Sequence, residues 1–287
     1  MNGFLIVDKP KGLTSLSVCN RLKHRLGLKK AGHSGTLDPA ATGVLVVGCD
    51  QATKLIRLIN EHDKEYIATI IFGYNSDTLD MDGNITMDFP MDVDIASIRE
   101  KMAILKESKT QIPPMTSAIK VNGKKLYEYQ RKGIEIERKE RSITIYESEI
   151  VSDLRFNEGH YEIDIRLFVS KGFYVRSYAH DLGELLGGKA ILKNLRRTKA
   201  GSECISMAKP MDDIKETDII PIHEFFKLPR VDVNDYIAGL VKNGVALDNR
   251  QTDLKGVFYV CNRNEIIAIY EYIEDNKYKP ILIFKES

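Results

Sequence analysis

Residues 32–47, GHSGTLDPAATGVLVV, constrain this chain more than any other segment. GVLVVGC, starting at Gly43, is an unbroken apolar run too short for a helix, so it reads as a buried strand. What precedes it reads as a loop. Gly32, Gly35 and Gly43 allow backbone conformations that other residues resist. Asp38 precedes Pro39, which pushes Asp38 toward extended geometry and offers no N–H of its own. A lone carboxylate is therefore held on a rigid turn, between a basic stretch and an apolar strand. Two readings stand at this point. One is an ordinary Asp-Pro turn. The other is a carboxylate kept available as a nucleophile by electropositive surroundings.

The rest of the chain alternates strands and helices irregularly. GFLIVDKP reads as a strand stopped by Pro10, and SLSVCNRLKHRLGL as an amphipathic helix capped by Ser15, with Val18, Leu22 and Leu26 inward and Gly27 as its stop. QATKLIRLINE reads as a second helix and KEYIATIIFGY as a strand. NSDTLDMDGNI is a turn-rich acidic loop. A helix is expected over 94–108. Pro113 and Pro114 then forbid a helix interior, and Asn122-Gly123 marks a hairpin-type turn leading into a short basic helix, KLYEYQRKG. Strands are expected near 142–151 and 160–170, and a helix in VRSYAHDLGELLGG that ends at Gly187-Gly188. The order is not strictly βαβ, so the fold class is α+β, with a mixed or antiparallel sheet flanked by helices. The texture changes near residue 228. A compact helix, DVNDYIAGLVKNG, and three strands follow, which predicts a small β-rich domain over 229–287 behind a main domain over 1–228.

With 287 residues and 43% hydrophobic content, the chain has material for a real core. Cys19, Cys49, Cys204 and Cys261 form no CxxC pair and read as reduced thiols. No run approaches the ~18 apolar residues of a membrane span, so a cytoplasmic protein is expected. The net charge is only +1. Its distribution is uneven. Residues 9–37 and 185–202 contain no acid, and 120–141 is rich in Lys and Arg, whereas acids cluster from Asp77 to Glu100. Three basic segments that converged in space would form a footprint for a phosphate backbone. P-loop, HExxH, GxSxG and dinucleotide motifs are absent, as is a Cys/His quartet, so no metal and no organic cofactor is expected.

Taken together, GFLIVDKPKGLTS, KAGHSGTLDPAATGVLVV, KEY, FGYNSDTLDMDG, QIPPMTSAIKVNGKKLYEYQRKG, VSKGFYVRSYAHDLGELLG and LRRTKAG resemble, in order, the motifs of the TruB-type tRNA pseudouridine synthases. The similarity runs from about residue 2 to 202, and the C-terminal part is similar to that family's PUA-like RNA-binding domain. The resemblance implies a pseudouridine synthase fold and isomerisation of uridine 55 in the tRNA T-loop. Asp38 matches the catalytic aspartate, which attacks either ribose C1′ or the base. Tyr66 matches the tyrosine that stacks on the flipped uracil. Arg176 matches the arginine that pairs with the aspartate. His33 matches a histidine that helps displace the target nucleotide, and Leu195 an apolar residue of the pocket floor. Segment 111–141 matches an insertion that clamps the T-arm. Lys9, Lys11, Lys120, Lys124, Lys125, Arg131, Lys171, Tyr174, Arg196 and Arg197 are the expected RNA contacts, with the three basic segments lining one face.

The sequence departs from the family pattern at Thr116, where an aromatic is common, and at Gln130, Phe173 and Ala40. A tRNA-folding chaperone with catalysis secondary or lost is a second reading. A guide-RNA-dependent synthase is a third. The short C-terminal domain favours a stand-alone enzyme, and no heptad seam calls for a partner copy, so a monomer is expected.

Overall fold

The computed structural model describes residues 2–284 apart from Glu61, Ala118, Asn122 and Arg131, with the side chains of Lys120, Lys125 and Tyr127 also undescribed. The chain opens with β1 (Gly3–Lys9), α1 (Ser15–Arg25), β2 (Ala31–Ser34) and β3 (Thr42–Cys49). A 3₁₀ turn over Asp50–Leu55 runs into α2 (Ile56–Asn60), and β4 (Lys64–Phe72) follows. Beyond the acidic loop lie α3 (Ile95–Lys106), α4 (Leu126–Gln130), β5 (Ile145–Ile150), β6 (His160–Val169), α5 (Val175–Leu185) and β7 (Ala190–Ala200). The C-terminal part contains α6 (Ile222–Phe225), β8 (Arg230–Asp232), α7 (Asp235–Lys242), β9 (Leu247–Asp248), β10 (Val257–Asn262), β11 (Glu265–Tyr272) and β12 (Lys277–Ile283).

The main sheet runs β5-β6-β4-β7-β3-β1. Its β7–β3 pair is parallel, and the other neighbours along this path are antiparallel. The sheet is therefore mixed, as the irregular element order predicts. Period-2 alternation decides which layer each side chain joins. On β4, Tyr66, Ala68, Ile70 and Phe72 face the layer formed by α3 and α5. On β1 and β3, Leu5, Val7, Leu45 and Val47 face α1, while Phe4, Ile6, Val44 and Val46 face the other way. Both faces of β3 are covered, which is why its sequence is apolar without a break.

Three details differ from the sequence reading. Thr14, not Ser15, caps α1 by accepting from the Ser17 N–H, because the Ser15 hydroxyl is committed to the loop at Leu37. QATKLIRLINE is not one helix: its first half is 3₁₀, entered at Asp50 with φ +52°. His33 and Ser34 are not loop but belong to β2, antiparallel to β3.

The C-terminal sheet runs β8-β10-β11-β12-β9. One of its faces, with Phe258, Val260 and Tyr270, packs on α7. The other, with Tyr259, Cys261, Ile269 and Leu282, packs on Phe4, Val44 and Val46 of the main sheet. Residues 222–228 lie within this shared core: Ile222 and Phe226 are buried there, and Tyr259 donates its hydroxyl to the carbonyl of Phe226 at 2.8 Å. The change in texture near residue 228 thus falls where apolar packing is continuous. Among the described residues, no helix is long and apolar enough to cross a membrane.

Candidate active site

The loop carrying Asp38 is fixed from both sides. Ser15, the first residue of α1, accepts from the Leu37 N–H and donates to the Leu37 carbonyl, at 2.9 and 3.0 Å. The Gly12 N–H donates to Pro39 O at 2.8 Å, and Ala41 N–H closes a turn on Asp38 O. Lys9 passes beneath the loop and donates to Ala41 O at 2.7 Å and Pro10 O at 2.9 Å, with Pro39 O at 3.3 Å. Where the loop enters β3, Gly43 adopts φ +103°, and a Cβ there would lie 2.1 Å from the Arg197 carbonyl oxygen. The parallel pairing of β3 with β7 at this point requires glycine.

Above the loop stands the first turn of α5. Arg176, almost wholly buried, places Nη2 3.0 Å from Asp38 Oδ2. Its Nη1 donates to Thr78 O at 3.1 Å and lies 3.5 Å from Asp80 Oδ2. Thr116 receives both terminal nitrogens, Nη2 at its carbonyl and Nη1 at its hydroxyl. One guanidinium therefore joins the 35–41 loop, the acidic loop and the 111–141 insertion. Burial pushes the Asp80 carboxyl above the usual range, opposed by the Thr78 hydroxyl and Arg176. Among the crowded acids of 77–100, no sequence signal set Asp80 apart. Its place is decided by Leu79 at φ +63° and by main-chain bonds of Leu79 and Met81 to Leu192 on β7.

Asp38, Thr116 and Arg176 line a cleft of about 510 Å³ with His33, Tyr66, Tyr174, Leu195 and Phe173. Tyr66 lies next to Arg197 in register and presents its ring from β4. Tyr174 caps α5, and Gln111 grips it twice: its amide donates to Tyr174 O at 3.0 Å and its carbonyl accepts from Tyr174 N–H at 2.9 Å. His33 Nδ1 is buried with no partner among the described residues, and burial, then Arg197, holds the imidazole below its ordinary pKa.

Asp38, Tyr66, Arg176, His33, Tyr174 and Leu195 thus meet around one cleft. Several expected RNA contacts do not. Lys9 is fully buried, with its ammonium spent on loop carbonyls, so it cannot present charge to a phosphate. Arg197 is also buried, donating to Val44 O at 2.7 Å and Gly35 O at 2.9 Å; it forms the floor of the site. Arg196 pairs with Asp8 at 2.7 Å, while Lys189 and Lys193 face Glu184 and Glu162. The 185–202 segment is therefore not a free basic stripe. A run of cations along a strand says nothing about which face each joins or what acid it meets there. Lys11, Lys124 and Lys171 are exposed. Lys120 and Lys125 pair by their backbones in a short hairpin, and Arg131 lies outside the described residues.

The mixed sheet, with this cleft at the junction of β3, β4, β7 and α5, has the architecture of a pseudouridine synthase. A solved chain from a Cbf5-Nop10-Gar1 complex superposes with a TM-score of 0.68 at 25% identity, covering 99% of this chain and 84% of that one. The chain belongs to the TruB family of pseudouridylate synthases, whose N-terminal domain matches residues 23–175. The tRNA pseudouridine synthase B of Lactobacillus acidophilus is 38% identical over 100% of this chain and 99% of its own length. That of Onion yellows phytoplasma is 36% identical over 99% and 100%.

Proposed function

We propose that this enzyme converts uridine to pseudouridine at position 55 of the tRNA T-loop, acting in the cytoplasm as a monomer and without a guide RNA. The observation that carries the reading is the Asp38–Arg176 pair, 3.0 Å apart, on a cleft of nucleotide size beside Tyr66. The flipped uracil stacks on Tyr66. Asp38 attacks ribose C1′ or the base, and either route needs a carboxylate. The N1–C1′ bond breaks, the base turns, and C5 bonds to C1′. The proton from C5 leaves to solvent, N1 gains one, and the carboxylate is released unchanged. Arg176 holds Asp38 in line throughout, and the rigid loop keeps it from swinging away. Full-length similarity to bacterial tRNA pseudouridine synthases B supports tRNA as the substrate.

The test is release of tritium from tRNA labelled at uridine C5. Stoichiometric release is expected, lost when position 55 is changed. Asp38→Asn should cut the rate by at least about 10⁴-fold while tRNA binding persists. Tight binding by the wild type with no release would instead favour the chaperone.

A further inference from the structure

Thr116 sits at the root of the 111–141 insertion and touches the guanidinium that holds Asp38. Its carbonyl accepts from Arg176 Nη2 at 3.1 Å, the nitrogen that also meets Asp38 Oδ2 at 3.0 Å. Its hydroxyl accepts from Nη1, which also serves Thr78 O. One residue thus takes a hydrogen from each terminal nitrogen of a nearly buried arginine. The insertion reaches this point along the first turn of α5, fastened by Gln111 to Tyr174 and by Ile112 O to the Ser177 hydroxyl. Farther along, the Gln130 side-chain amide donates to Asp77 O at 2.9 Å, joining the insertion to the acidic loop that carries Asp80. The insertion and the ion pair are therefore mechanically continuous through Thr116, by its hydroxyl and its main-chain carbonyl.

We propose that Thr116 is a positioning residue that couples docking of the insertion to the alignment of Asp38 through Arg176. The proposal rests on the catalytic reading of Asp38 and Arg176 given above. A guanidinium held only by Asp38, Asp80 and Thr78 O retains freedom to rotate about its long side chain. The two acceptors of Thr116 remove that freedom when the insertion is seated, so the carboxylate is presented in one orientation as substrate is enclosed. The hydroxyl is one of the acceptors that fix Nη1, and a methyl in its place leaves that nitrogen only Thr78 O at 3.1 Å and the more distant Asp80 carboxylate at 3.5 Å inside a buried site.

The test is single-turnover tritium release at saturating enzyme, with tRNA affinity measured separately. Thr116→Val should slow release by about tenfold or more, the size expected for one hydrogen bond to a charged group, with tRNA affinity unchanged within about twofold. Thr116→Ser should restore the rate to within about threefold of wild type. In an Arg176→Lys background, Thr116→Val should add little further loss, because its effect runs through the guanidinium. A wild-type rate for Thr116→Val overturns the proposal. So does a loss that tracks tRNA affinity, a loss shared equally by Thr116→Ser, or full additivity with Arg176→Lys. If the wild type itself releases no tritium, the catalytic reading fails instead, and the two failures are thereby distinguished.

Discussion

Lys9 shows how far a residue's role can lie from its charge. In the sequence it is one more cation in a basic stretch. In the fold it is fully buried, and its ammonium ties together the carbonyls that frame the Asp38 loop. Burial pulls its pKa down to about 8 from 10.5, opposed by the nearby charge of Asp38. Between those values the unfolded chain binds a proton that the folded chain has released, so stability rises with pH across that window. At pH 7 both states are charged and this gain is absent. Relative to a Lys9→Met variant, which lacks the titration, the wild type should gain on the order of 2–3 kcal/mol between pH 8 and 10. Urea unfolding of both proteins at several pH values checks this, and parallel stability profiles would refute it. Asp38, Tyr66 and Arg176, named from motifs, line one cleft. Asp80 was not named, since a carboxylate among many neighbours has no distinguishing mark until Leu79 and Met81 dock on β7.

At the scale of elements, the strands were more legible than what joins them. Short apolar runs bounded by turn residues marked β1 and β3, and Gly27 and Gly187, both with positive φ, marked where α1 and α5 end. The misread pieces were those governed by side-chain contacts distant in sequence. Ser15 gave up the cap of α1 to hold Leu37, 22 positions away. The β3–β7 junction depends equally on a distant contact, and it makes a sharp prediction. Gly43→Ala sets a methyl 2.1 Å from a main-chain oxygen at φ +103°, so the parallel pairing beside the Asp38 loop must part. A loss of about 2–4 kcal/mol is expected. Gly35→Ala, at φ +64° with the Arg197 Nη1 atom 3.2 Å away, meets a side-chain atom that need shift by only a few tenths of an ångström, so it should cost less. Chemical denaturation of the two variants orders them, and an equal or reversed order would show that the backbone contact is not limiting.

For the whole molecule, the question is whether the β-rich C-terminal part is a separate unit. Its composition differs, which is what the sequence registers, but composition does not reveal what a sheet's second face packs against. β10 carries Phe258 and Val260 toward α7, and Tyr259 and Cys261 toward the main sheet. Phe4, Val44 and Val46, from strands that adjoin the Asp38 loop, are covered by that second face. Arg57 and Glu271 close one edge of the contact at 2.6 Å. Each large apolar side chain uncovered here costs about 1.5–3 kcal/mol, so losing several would consume most of the stability of an ordinary domain. Two consequences follow for unfolding. The full chain should melt in one transition, with calorimetric and van't Hoff enthalpies equal. A fragment of residues 1–228 should fail to fold as a soluble species, because the face of β1 and β3 behind the Asp38 loop would meet water. Leu282→Ala, in the shared core, should lower the temperature of that single transition rather than split it, at about 2–5 kcal/mol. Two resolved transitions in calorimetry, or a soluble 1–228 fragment releasing tritium at the full rate, would show the halves to be independent. The single transition would mean instead that the C-terminal sheet holds the foundation of the Asp38 loop in place.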